Sequence, residues 1–241
     1  MIKRINLVFI LFIVNFITCK KEERLTDEQI VEGLKEALRV ATDTAVTKLH
    51  KINGYYLDST VKIHLPPDAE NIQKHKDDPL LIETGISNKI ENLILQLNRS
   101  AENAAIHAKP IFFNAIININ IEDAKNILYG YDTAATHYFR LKCYKQLFDL
   151  FLPYIKTSLN KPLVNNLSAY ETWEQLKEIY NPLCGPITGW KPINSSLDTF
   201  TTSKAIDGLF KKIGEQEKII RKNPQARVTD ILKKVFSTLD K

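Results

Sequence analysis

Glycine is scarce in this chain of 241 residues, with eight copies, all dispersed. None falls into a GxGxxG or Walker-type loop, so no backbone cradle for nucleotide phosphates is encoded. Three cysteines without a CxxC pair exclude a thioredoxin-like redox centre. Five histidines, His50, His64, His75, His107 and His137, are scattered without an HExxH pattern. A metal site needs several converging donors and could arise here only by long-range convergence, so neither metal nor cofactor is expected. No serine sits in a GxSxG turn, and neither Cys143 nor Cys184 has an obvious neighbouring base, which leaves nucleophilic catalysis unmarked. The formal charge of +5 includes no concentrated basic block, which argues against a nucleic-acid partner.

What the chain does contain begins with a targeting pattern. Lys3 and Arg4 precede an apolar run from Ile5 to Ile17, broken only by Asn6 and Asn15. The run is too short to span a bilayer comfortably and fits the apolar part of an export signal. It ends in "FITC", Phe16 to Cys19, which resembles the box of a bacterial lipoprotein signal, with Thr18 larger than the usual small residue. Lipidation at Cys19 is the expectation, since several acyl chains on one residue give stable anchoring. Cleavage without lipid and a retained anchor are the alternatives. The following "KKEE", Lys20 to Glu23, is either a solvated tether or similar to the lysine-plus-acidic signal of surface-exposed lipoproteins. The organisation expected is a signal peptide over 1–18, a tether over 19–25 and a single helical domain over 26–241. Removing Lys3 and Arg4 would lower the charge from +5 to +3.

The rest of the chain reads as helix. "TDEQ", Thr26 to Gln29, has capping-box spacing, and Ile30, Leu34, Ala37, Leu38, Ala41, Ala45 and Leu49 recur on one face up to about Lys51. Val61, Ile63 and Leu65 alternate in an extended loop stopped by Pro66 and Pro67, followed by a short helix from Asp68. Ser87 is placed as the cap of a helix bearing Leu93, Leu97 and an alanine stripe at 101, 104, 105 and 108, with Pro110 an interruption. Asn120 caps a short helix ending at Gly130, and Asp132 caps the next, for which Pro153 is a kink or boundary. Further helices are expected over about Ala169 to Tyr180, from about Thr202, and from Asn223 and Pro224 to the end, the last including Val228 on its apolar face. The fold class expected is all-α, a compact multi-helix bundle with one long extended loop between the first helices. Cys143 and Cys184 either form one disulfide or stay free, with Cys143 buried.

The strongest local candidate for a site is "YGYDTAATHYFRLKC", Tyr129 to Cys143. Asp132 at the positive helix start serves as a cap or touches a ligand. Thr133, Thr136, His137 and Arg140 share a flank, with Tyr138 on another. The Arg140 fork suits a carboxylate, a phosphate or a cluster of carbonyls, with Glu102 or Glu122 as opposing acids. In the C-terminal segment Lys211, Lys212, Lys218, Arg221, Lys222 and Arg227 read as a solvated face or an anionic contact. Alternatively Asp207 and Glu217 join Arg221 and Arg227 in an interhelical salt network.

Several pieces in order resemble a bacterial family of unknown function, DUF4197. They are "GLKEAL" at Gly33 to Leu38, "GYY" at Gly54 to Tyr56, "VKIHLP" at Val61 to Pro66, "LNRSAENAAIHAKPIF" at Leu97 to Phe112, "EDAKNILYGYDTAATHYFR" at Glu122 to Arg140, and the C-terminal segment. The resemblance covers roughly residues 27 to 237. It implies an exported, mainly helical protein whose signature includes Asp132, Thr133, Thr136, Tyr138, Phe139, Arg140, Asp207, Gly208, Arg221, Pro224 and Arg227, and it gives none of them a catalytic role. Ser100, Ile106, His107 and His137 depart from the pattern, which lowers the case for histidine chemistry.

The leading expectation is a lipid-anchored cell-envelope protein, an outer-membrane lipoprotein that reaches the cell surface if "KKEE" acts as the surface signal, that binds a small molecule, lipid, glycan or protein partner without turnover. The alternatives are a hydrolase using Asp132 with Glu102 or Glu122 as acid and base, and a helical interaction scaffold. Oligomeric state is not encoded in periodicity, because faces buried within and between chains look alike.

Overall fold

Thr26 starts the first helix: its hydroxyl accepts the Gln29 amide, and the Gln29 side chain accepts the Thr26 amide, closing the capping box. The computed structural model describes residues 24–77, 79, 82, 86–162, 167–186 and 189–240. The export signal, Cys19 and residues 19–23 of the tether lie outside the described residues.

Helix α1 (Asp27–His50) carries a buried stripe of Ile30, Leu34, Ala37, Leu38, Ala41, Ala45, Val46 and Leu49, and five other α-helices close around it. The chain continues through α2 (Glu70–Lys74), α3 (Ile86–Ala105), α4 (Lys109–Ile117), α5 (Ile121–Leu128), α6 (Ala134–Leu159), α7 (Ala169–Tyr180), α8 (Leu197–Lys222) and α9 (Asp230–Phe236). Helix α1 packs on α3, α4, α5, α8 and α9, while α6 packs on α3, α4, α5 and α8. No strand occurs among the described residues, and the buried apolar side chains form one connected core. The architecture is therefore the all-α bundle read from the sequence.

Small residues set the close approaches. Ala101, Ala104, Ala105 and Ala108 are fully buried, as their stripe predicts. Gly33 faces Val235 so closely that an added Cβ would collide with its side chain, which fixes how α9 lies on α1. Gly208 similarly admits the Tyr55 ring, whose hydroxyl donates to the Ala205 carbonyl at 2.7 Å.

The extended loop has the predicted form, with Val61, Ile63 and Leu65 buried. Its partner is a side chain. The Asn98 amide accepts the Ile63 N–H at 2.9 Å and donates to the Ile63 carbonyl at 2.8 Å, satisfying backbone groups that a neighbouring strand would otherwise pair.

Several expected boundaries move. Helix α3 already includes Ser87, whose hydroxyl donates to the Lys76 carbonyl instead of capping. Pro153 lies inside α6 without ending it. Helix α8 begins at Leu197, before Thr202. Asn223 caps only a 3-10 turn at Pro224–Ala226, and Thr229 caps α9 with its own hydroxyl. Val228 consequently falls outside the last helix and is exposed. Cys143 and Cys184 are both free thiols; burial pushes the Cys143 thiol up to about 11.

Candidate functional site

The Tyr129–Thr133 turn joins α5 to α6, and its polar residues meet α8. The N-cap of α6 is Thr133, whose side chain makes no capping bond. Capping comes from across the bundle. Glu217 Oε1 accepts the Ala135 N–H at 3.0 Å, and Oε2 accepts the Thr136 N–H at 2.9 Å and the Thr136 hydroxyl at 2.8 Å. Two amides left unpaired at any helix start are thereby satisfied by a carboxylate placed at the positive end of the dipole.

One turn along α8, Arg221 donates through Nε to Glu217 Oε1 at 3.1 Å. Its other nitrogens reach the Leu128 carbonyl at 2.9 Å and the Ile127 carbonyl at 2.7 Å. Those are final carbonyls of α5, where a cation is favoured. Glu217 and Arg221 are 5 % and 6 % exposed, so this is a buried pair with its remaining donors and acceptors matched to backbone.

Asp132 is placed differently from the capping role read in the sequence. It pairs with Lys222 at the surface, and that hydrogen bond holds its carboxyl below the ordinary range. Glu217, entering from a distant part of the chain, has taken the helix start.

Arg140 opposes neither Glu102 nor Glu122. It donates to Asp207 Oδ1 at 2.9 Å on the surface and lies over the Phe210 ring. Glu122 is exposed on α5. Glu102 is 2 % exposed and ties down the turn after α1: Oε1 accepts the Tyr55 and Tyr56 amides at 3.1 and 3.2 Å, and Oε2 accepts Arg99 at 2.5 Å. Arg99 also reaches Asn53, whose φ of 70° marks the left-handed step in that turn. Burial and the nearby Glu102 charge raise the Tyr55 phenol.

Arg227 ends α8. It donates to the Ile220 carbonyl at 3.1 Å and the Arg221 carbonyl at 2.9 Å, and it holds Asp240 through two bonds of 2.6 Å. Tyr138 donates to Asp123 at 3.3 Å, and burial raises its phenol. His137 is exposed.

The predicted polar set thus does not converge: Thr136 and Arg221 join the Glu217 clamp, Arg140 pairs with Asp207, Asp132 with Lys222 and Tyr138 with Asp123, Glu102 holds its turn, Arg227 binds at the end of α8, and Glu122 is exposed. Among the described residues, no hydrogen bond or ion pair joins Asp132 to Glu102 or Glu122, and no group of three His, Cys, Asp or Glu residues is arranged to hold a metal ion. A family model described as a protein of unknown function, DUF4197, matches residues 24–237. The chain belongs to the DUF4197 family. Comparison with curated proteins and with solved structures gave no significant match. The DUF4197 residues named by resemblance therefore include helix-end and turn anchors in this fold.

Sequence reading missed Lys212. It belongs to the C-terminal charges read as a solvated face, yet it is buried, with Asp58 at 2.8 Å, Glu215 at 2.9 Å and the Thr60 hydroxyl at 2.8 Å. Its position two residues after the apolar Leu209–Phe210 pair was the available signal. A groove also runs between the extended segment and α8. It is lined by Thr60–Leu65 and Pro67 on one side and by Phe200, Lys204, Asp207, Gly208 and Lys211 on the other, with a volume of about 370 Å³.

Proposed function

We propose that this DUF4197 protein is a lipid-anchored cell-envelope protein whose helical domain binds a partner or small ligand without turning it over. The anchor rests on the sequence from Lys3 to Cys19. The observation supporting binding over turnover is that the buried ionisable groups of the signature are already engaged with backbone: Glu217 with the start of α6, Arg221 with the end of α5, and Arg227 with the end of α8. A general acid or base needs hydrogen-bond reach to a substrate proton, and these groups spend their donors and acceptors on the fold. No helix among the described residues is long and apolar enough to cross a membrane.

Metabolic labelling with palmitate tests the anchor. Label should enter the wild-type protein and be lost in Cys19→Ala; equal labelling of the two would remove Cys19 as the attachment point.

A further inference from the structure

We propose that the groove between the extended segment and α8 is a binding site for an anionic ligand, whose phosphate or carboxylate groups are held by Lys62, Lys204 and Lys211. The proposal deepens the binding reading above by naming its site and ligand class, and it does not depend on the lipid anchor.

Charge is the first argument. The groove wall contains three lysines and a single carboxylate, Asp207. Arg140 pairs with that carboxylate at 2.9 Å, which leaves the lysines in excess. Among the described residues none of the three lysines forms an ion pair, whereas nearby Lys212 is enclosed by Asp58 and Glu215. The larger open hollow beside α1 is of another kind, because Glu28, Glu32 and Glu36 face Lys35 and Arg39 there.

Geometry is the second. Lys204 and Lys211 lie two turns apart on one face of α8, about 10 Å along the axis at 1.5 Å per residue. Lys62 rises from the opposite wall, its ammonium 4.3 Å from the centre of the Tyr56 ring, and Lys204 lies over Phe200. Both contacts orient the lysines through aromatic faces and leave the ammonium hydrogens available to an anion. The wall between them is close-packed backbone: Gly208 abuts Tyr55, and the Ile63 backbone is held by Asn98. A close-packed wall carrying three lysines suits a compact ligand with more than one negative group, and the volume lies at the small end of ligand pockets.

Calorimetry on the full chain in neutral detergent at low salt tests the site, with pyrophosphate and monomeric dihexanoyl phosphatidylglycerol as probes. Binding of either supports the proposal, pyrophosphate pointing to a free anion and the lipid to a headgroup. The combined variant Lys62→Gln, Lys204→Gln, Lys211→Gln should weaken binding at least tenfold. A control removing three exposed charges elsewhere, Lys145→Gln, Lys161→Gln, Lys218→Gln, should change it less than twofold. Arg140→Gln should weaken binding about threefold by unmasking Asp207, and Asp207→Asn should strengthen it. Equal losses in the two triple variants, or no binding of either probe, would overturn the site. Neither result touches the palmitate experiment, so the groove and the anchor fail separately.

Discussion

Glu217 and Arg221, one turn apart on α8, hold the two ends of a single interhelical turn: the carboxylate caps the start of α6 while the guanidinium caps the end of α5. Both are buried, so removing one leaves the other as an uncompensated charge. Glu217→Ala should destabilise the protein by about 3–5 kcal/mol. A urea melt of wild type, Glu217→Ala, Arg221→Met and the double variant measures this. The double variant should cost less than the two single losses together; simple additivity would show that the pair does not act as a unit.

The other two signature arginines, Arg227 paired with Asp240 and Arg140 paired with Asp207, should behave unequally. Arg227 is 2 % exposed and serves two helix-end carbonyls, so Arg227→Ala should cost about 2–3 kcal/mol through lost charged hydrogen bonds. The Arg140 side chain is 44 % exposed, and Arg140→Ala should stay within about 1 kcal/mol. Thermal unfolding of the two variants gives the order, and a larger loss at Arg140 would contradict it.

Stability should depend on pH through Asp58. Burial alone would raise its carboxyl, but hydrogen bonds from Lys212 and Thr60, with the Lys212 charge, outweigh burial and hold it well below the usual range. Its contribution is therefore complete above the unfolded value near about 4 and is lost as pH falls toward the folded one. Burial opposes the charge on Lys212, yet bonds to Asp58 and Glu215 raise its pKa, so its contribution is complete below about 10 and is lost as pH rises through the folded value. The gap in urea midpoint between wild type and Asp58→Asn should be constant from about pH 5 to 9 and narrow below about pH 4. A gap that widened in acid would reverse the assignment.

Thiol reactivity should separate the two cysteines of the helical domain. Cys143 is buried and its thiol is pushed up to about 11, whereas Cys184 is partly exposed. In a Cys19→Ala protein at pH 8, Ellman's reagent should modify Cys184 in the native state and Cys143 only on unfolding. Rapid native modification of both would show that the core around Cys143 opens.

Residue order alone determined the helical class and where most helices run, though not the starts expected at Ser87, Thr202 and Asn223, because burial periodicity and capping chemistry are local. The Thr26 box, the stripe from Ile30 to Leu49, the Asn120 cap and the alanine series 101–108 all depend on neighbours within a few positions. The extended loop was legible for the same reason, from alternation ended by Pro66 and Pro67. Membership of DUF4197 was also legible in the ordered motifs.

Which charge meets which helix end was decided only in the folded structure. Asp132 has the right local position for a cap, but Glu217, eighty-two residues beyond Ala135, supplies the carboxylate because α8 packs against α6. Arg140 finds Asp207, and Asn98 stands in for a strand beside Ile63. Hydrogen bonding rewards the nearest partner in space, and for a buried group that partner is chosen by how the helices pack.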